Sequence, residues 1–233
     1  MEHEAFIFSG RVWICQSKSD YSLFIKHTTS SFTALLVYID DIIVMSLNHT
    51  STDEVKKLLS TKFKIKNLGS LKYFLGMEIA RSKNGIQICQ TKYTLDILSE
   101  MGLLVAKPSP LPMEPNIKLH KDQGDVFQDP TQYRKLVGKL LYLTNTRPDI
   151  SYIVHLLSQF METPRVPHYD DLLKILRYLK GSPGQGLFFP TTSSLQLTAY
   201  CDANWANYPD TRRSTTRFCI FIGKSLVAWK SKK

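Results

Sequence analysis

Apolar positions alternate with polar ones at strand spacing early in the chain, and past residue 130 they recur at helix spacing. Residues 1–15 fit neither period. The segment Tyr21-Ser22-Leu23-Phe24-Ile25-Lys26 predicts a strand. Two strand-length runs rich in Val, Ile and Leu, 34–39 and 42–45, enclose Asp40-Asp41 and predict a hairpin with the aspartates at or near its tip. Ser51 with Glu54 three positions on reads as a capping box, opening a helix whose stripe is Val55, Leu58, Leu59 and Phe63. A strand over 72–80, a turn carrying Asn84-Gly85 and a strand over 86–89 predict a second hairpin. A short helix over 91–100 is expected to stop at Gly102.

Periodicity then disappears. Pro108, Pro110, Pro112 and Pro115 interrupt residues 105–130, which read as a linker or an extended crossing segment. Three amphipathic helices are predicted next: one on Tyr133, Leu136, Val137, Leu140 and Leu141; one on Ile150, Ile153, Val154 and Leu157; one on Leu172, Ile175, Leu176 and Leu179, closed by Gly181. A loop over 181–186 leads to strand signals at 195–201, 218–222 and 226–229, with turns at 208–213 and at Gly223-Lys224. The order is β-rich, then α-rich, then a β meander, an α+β pattern.

Composition narrows the possibilities. With 43% hydrophobic residues among 233, the chain can bury a core and is not a disordered tail. No apolar run reaches the ~20 residues of a membrane helix, and Met1-Glu2-His3-Glu4 is not a basic leader before an apolar stretch, so an intracellular product without signal peptide or membrane span is expected. A net charge of +10 favours polyanionic partners, of which nucleic acid is the simplest. Cys15, Cys89, Cys201 and Cys219 are far apart with no histidine at ligand spacing. That argues against zinc, and three of them fall in stretches where a reduced cysteine acts as a small core residue. Trp205 and Trp229 are expected to pack in the final sheet.

The sharpest chemistry lies in Asp40-Asp41. Burying one unpaired carboxylate costs several kcal/mol, and a like-charged neighbour adds to that. Water at an exposed hairpin tip would offset the cost, and so would a divalent cation, since hard cations take carboxylate oxygens. A bare Asp-Asp pair is ordinarily just a solvated turn. Tyr38 before it, and strand-length apolar runs on both sides, make a narrower pattern.

Leu36-Val37-Tyr38-Ile39-Asp40-Asp41-Ile42-Ile43 resembles the Y-x-D-D motif of reverse transcriptases, in the form used by copia-type retrotransposon polyproteins. The likeness continues in family order. Residues 16–24 look like the preceding strand, and Asn67-Leu68-Gly69-Ser70-Leu71-Lys72-Tyr73-Phe74-Leu75-Gly76-Met77-Glu78-Ile79 is similar to the segment after the palm helix. Residues 133–143 and Thr146-Arg147-Pro148-Asp149-Ile150-Ser151-Tyr152 look like the connection region. Cys201-Asp202-Ala203-Asn204-Trp205-Ala206, with Asp210-Thr211-Arg212-Arg213-Ser214-Thr215, resembles the start of a ribonuclease H domain.

The resemblance implies a partial right-hand palm and thumb over 16–105, a Pro-containing linker over 106–130, a helical connection region over 131–190 and a truncated ribonuclease H-like β meander over 191–233. It implies that Asp40 and Asp41 bind Mg2+ or Mn2+, that Tyr38 lies near the primer terminus, and that Asp202 is the first metal-binding carboxylate of the ribonuclease H site. Without the resemblance, Asp202 would read as a strand-end residue capping the turn at Ala203-Asn204. The implied partner is an RNA or DNA template–primer duplex, and the implied activity RNA-directed DNA synthesis. The family's third palm carboxylate and fingers fall upstream of Met1, and its further ribonuclease H ligands fall after Lys233. Activity of this stretch alone is therefore expected to be absent. Asn204 stands where the family often has Asp, Arg217 where it commonly has Gly, and residues 1–15 match nothing in it. The alternatives are a non-catalytic nucleic-acid-binding protein derived from a retroelement and, in third place, a helical interaction module over 131–181.

Overall fold

The computed structural model describes residues 5–8, 12–27, 31–114, 119–205 and 212–232. It divides into two compact units, Met1–Leu71 and Lys72–Lys233. The expected turn at 208–213, Asp210 and Thr211 included, lies largely outside the described residues, as does Pro115.

The first unit is an antiparallel meander of β1 (Ala5–Phe8), β2 (Val12–Gln16), β3 (Leu23–His27), β4 (Phe32–Tyr38) and β5 (Asp41–Ser46), followed by α1 (His49–Lys62). Sheet order equals sequence order, so every strand pairs with its chain neighbour. The first two strands fall where the sequence showed no period. In β4 and β5 the pairs Leu35↔Val44 and Thr33↔Ser46 share one face, and Tyr38↔Asp41 and Leu36↔Ile43 the other. Val55 and Leu59 of α1 pack on the first face with Ile14, Leu35, Phe24 and Val44. The helix begins earlier than the capping box suggests. Asn48 is its N-cap, its side-chain oxygen accepting from the Ser51 backbone N–H at 2.8 Å. Phe63 falls past the helix end and is exposed.

In the second unit the single strand expected over 72–80 is broken into β6 (Tyr73–Phe74) and β7 (Met77–Ser82) by Leu75-Gly76. Both turn residues have positive φ, 47° and 74°, the signature of a type I′ hairpin. Tyr142 donates its hydroxyl to the Leu75 carbonyl, holding this turn against α3 (Pro130–Leu143). β8 (Gly85–Cys89) follows, and then α2 (Thr91–Glu100). Glu78 Oε1 accepts the Lys92 backbone N–H at 2.7 Å and so caps the start of α2. Glu100, near its other end, accepts from Lys135 and Lys139 of α3, and those hydrogen bonds pull its carboxyl down to about 2.

α3, α4 (Ser151–Leu157) and α5 (Val166–Gly181) bury the predicted stripes around Tyr133, Leu136, Val137, Leu140, Ile153, Leu157, Leu172 and Leu176. Leu119, from the proline-containing stretch, is buried in the same cluster. A strand that the sequence did not suggest, β9 (Leu187–Pro190), pairs with β8 and completes the order β6-β7-β8-β9. The meander β10 (Leu197–Asn204), β11 (Thr215–Ile222) and β12 (Ser225–Lys232) closes the unit, with Trp229 Nε1 donating to the Thr144 carbonyl at 3.2 Å. Two expectations fail here. Trp205 is 91% exposed rather than packed, and of the cysteines only Cys89 is buried, Cys15 and Cys201 being exposed.

Asp171 on α5 is half-buried, and burial raises its carboxyl to about 6, with Asp170 and Glu114 adding to the rise and Lys174 opposing it. A folded-state value above the ordinary 3.8 means that the charged form costs stability. The contribution is therefore full below about pH 4 and lost as pH climbs through about 6. Asp171→Asn should raise the melting temperature at pH 7.5 and leave it nearly unchanged at pH 4. Equal shifts at both values would contradict the assignment.

Candidate metal and nucleic-acid site

The β4–β5 hairpin brings Tyr38, Asp40 and Asp41 together. Tyr38 ends β4, Asp41 begins β5, and the two are cross-strand partners on one face, leaving Ile39-Asp40 as a two-residue turn. Both carboxylates are exposed, and Tyr38 is 47% exposed beside them. Rigid strands thus deliver two oxygen-bearing side chains and one aromatic ring to a solvent-facing tip. The open question of burial resolves on the side of water: among the described residues nothing apolar encloses the pair.

The turn carries strain. Ile39 has φ 50° and is 81% exposed. A β-branched side chain in the left-handed region costs roughly 1–2 kcal/mol, and with so little of it buried no packing energy offsets the cost. Asparagine tolerates this conformation, so Ile39→Asn should stabilise the first unit by about 1 kcal/mol. Urea unfolding followed by the hairpin's amide exchange would show it, and a loss of stability would mean the strain is relieved elsewhere.

Asp202 lies in the other unit. It is inside β10, two residues from the strand's end, which overturns its reading as a turn cap. Its cross-strand partner is Arg217 of β11, and the next partner across is Ser231 of β12, so all three side chains share one face. That face borders a cleft of about 290 Å3 whose walls include Ser151, Tyr152, Tyr200, Asp202, Arg217 and Trp229. The Arg217 guanidinium carbon stands 4.0 Å over the centre of the Tyr152 ring. The sequence flagged Arg217 only as a departure from glycine. Nothing in the spacing ties it to Ser151 and Tyr152, which arrive from α4.

The Thr146–Asp149 stretch turns out to be internal. Arg147 is 1% exposed and holds Asp149 by its Nε at 3.0 Å and Nη2 at 2.7 Å, while Nη1 donates to the Ser182 carbonyl at 2.8 Å, just past α5. Tyr178 adds its hydroxyl to the Asp149 carboxylate at 2.9 Å. Burial pushes Asp149 up, but the hydrogen bonds and charge of Arg147 outweigh it and leave the carboxyl below its ordinary value. Among the described residues no three His, Cys, Asp or Glu side chains are grouped to hold a metal ion, and no helix is long and apolar enough to cross a membrane.

Residues 12–115 match the family described as reverse transcriptase (RNA-dependent DNA polymerase). The chain is 42% identical over 217 residues to the retrovirus-related Pol polyprotein from transposon RE1 of Arabidopsis thaliana, an overlap covering 93% of this chain and 15% of that protein. It is 40% identical to the uncharacterized mitochondrial protein AtMg00810 of the same plant, over 85% of this chain and 82% of that one. It is 32% identical to the putative transposon Ty5-1 protein YCL074W of Saccharomyces cerevisiae, over 96% and 73% respectively. No solved structure matches.

Proposed function

Because the chain belongs to the copia-type retrotransposon Pol polyproteins, with a reverse transcriptase region at residues 12–115, we propose that its β4–β5 hairpin is the metal-binding tip of a polymerase palm. The observation that carries this is the pairing of Tyr38 with Asp41 across a two-residue turn, which holds both aspartates at an accessible tip within the matched region. Carboxylate oxygens suit Mg2+ or Mn2+ in kind, and Asp40 and Asp41 would hold the ion. Divalent metal bound there would supply stabilisation of the charge that develops on the oxygens in phosphoryl transfer. Tyr38, on the face of Asp41, would lie against the primer terminus.

The remaining assignments belong to the same proposal. Residues 16–105 form part of a palm and thumb, 106–130 a linker, 131–190 a connection region, and 191–233 the first strands of a ribonuclease H-like domain. The partner is a template–primer duplex, gripped through its phosphates by a chain of net charge +10.

Two adjacent carboxylates at one tip supply only part of the ligand set of a two-metal centre. The proposal is therefore binding without synthesis by this chain. With Mg2+ or Mn2+, no primer extension on an RNA template is expected, while duplex binding should weaken steeply between 50 and 200 mM salt, by ~10-fold or more. Extension abolished by Asp40→Asn would establish catalysis instead. Binding indifferent to salt would remove the phosphate grip.

A further inference from the structure

A divalent cation at Asp202 is the family's expectation, and the surroundings of Asp202 do not fit one. The side chain directly across the sheet on the same face is the cation Arg217, and no second carboxylate adjoins Asp202 among the described cleft residues. Cross-strand partners lie with their Cβ atoms ~5 Å apart, so a metal ion at Asp202 would share its space with a guanidinium.

The same cleft has donors to spare. The face of the Arg217 guanidinium is taken by the Tyr152 ring, which leaves its N–H groups directed along the edges of the plane. Its Nε is buried without a hydrogen-bond partner. Ser151, next to Tyr152 on α4, is only 5% exposed, and its Oγ is also buried without a partner. Buried donors without acceptors are uncommon, because each forfeits the hydration it had in the unfolded chain. Both residues line one cleft, and Lys230 lines it too. The Lys230 side chain, opposite Phe218, belongs to the other face of the sheet, so within the cleft the Arg217 cation matches the single carboxylate of Asp202.

We infer that the cleft between α4 and the β10–β12 sheet is an oxyanion site that takes a phosphate group on Arg217 and Ser151, where a metal ion would otherwise be held by Asp202. Nε and one Nη of a stacked guanidinium can donate together to two oxygens of one phosphate, and the serine hydroxyl can donate to a third. The volume of about 290 Å3 accommodates a phosphate with part of whatever carries it. Asp202 stands on the rim as a like charge and keeps affinity modest. Nothing in the site involves the β4–β5 hairpin, so it would persist if primer extension were observed.

One substitution separates the two readings, because they assign Asp202 opposite effects. The full chain is titrated calorimetrically with inorganic phosphate at constant ionic strength, and line broadening by Mn2+ is followed in amide spectra of the same protein. Asp202→Asn should tighten phosphate binding a few-fold, Arg217→Gln should weaken it about tenfold, and Ser151→Ala should weaken it less. Arg217→Lys keeps the charge and should still weaken it, since ammonium cannot donate in parallel from a stacked plane. Circular dichroism confirms that each variant is folded, and a misfolded Arg217→Gln leaves Asp202→Asn and Ser151→Ala to decide. Mn2+ should not broaden the amides of residues 201–203. Phosphate binding unchanged or strengthened by Ser151→Ala and Arg217→Gln would overturn the inference. So would broadening around Asp202 that disappears in Asp202→Asn. A short RNA–DNA duplex that displaces phosphate identifies nucleic-acid backbone as the source of the group, and failure to displace it identifies a free phosphate compound.

Discussion

Arg147→Ala should cost the second unit about 3–5 kcal/mol, the effect of removing one partner from a buried ion pair. Arg147 is 1% exposed, while Asp149 keeps 23% of its side-chain surface, so the cation has surrendered nearly all its water. Its guanidinium serves two carboxylate oxygens and the carbonyl of Ser182, and it lies 5.6 Å from the centre of the Tyr178 ring. Alanine leaves the Asp149 carboxylate with the Tyr178 hydroxyl and its own backbone N–H but no cation, and leaves the residue after α5 without its donor. Arg147→Met, which fills the space without the charge, should still be destabilising. The double change Arg147→Met with Asp149→Asn should recover part of the loss, because it removes the orphaned charge as well. Urea unfolding of the unaltered protein, Arg147→Met, Asp149→Asn and the double variant gives the cycle. A loss under 1 kcal/mol for Arg147→Ala would mean that water reaches the pair.

Gly186→Ala is the second large effect, expected at about 3 kcal/mol or more. A methyl group there would stand 2.1 Å from the Ile88 carbonyl oxygen and 2.9 Å from the Cys89 Cα, and backbone cannot yield as a flexible side chain can. The strand pair β8–β9 begins at that point, with Ile88 opposite Leu187. Gly184, two residues away, is a matched control. Its added methyl would meet only the Thr91 hydroxyl at 3.6 Å, an ordinary contact. Hydrogen exchange should show the β8 and β9 amides deprotected in Gly186→Ala and little altered in Gly184→Ala. Similar protection in both would mean that the strands shift to admit the methyl.

The Asp40-Asp41 hairpin was legible because two apolar runs of strand length leave a pair of aspartates no place but the tip, with Asp40 in the turn and Asp41 opening β5. The three helices were legible from their 3.6-residue stripes. Elsewhere the deciding partner was distant. β9 is four residues ending in Pro190 and has no period of its own; it is a strand because β8 supplies its hydrogen bonds. Ser51 was read as the cap, but the helix starts three residues earlier and the Ser51 N–H instead donates to the Asn48 side chain. Trp205 looked like core by composition, but β10 ends at Asn204 and the ring projects into solvent.

The residues carrying the family likeness divide in a way their sequence could not show. Glu78 caps a helix, Tyr142 steadies a turn and Arg147 with Asp149 pins the end of α5. These hold the second unit together, whereas Tyr38, Asp40 and Asp41 are presented to solvent. Asp202 is exposed too, but unlike them it has a cation, Arg217, facing it across the sheet.

The β8–β9 pairing also has a consequence in time. Gln87 donates to the Gly184 carbonyl across 97 positions of chain, and α2 through α5 all lie within that span. Closing so long a loop early would cost entropy with little return, so the pairing should wait until the helices have condensed and drawn its ends together. The meander β1–β5 joins only sequence neighbours and faces no such delay. During synthesis the hairpin bearing the aspartates should therefore be in place well before β9 latches the second unit, and a ribosome pausing between the two would expose an unpaired β8 edge rather than an unformed Asp40-Asp41 tip.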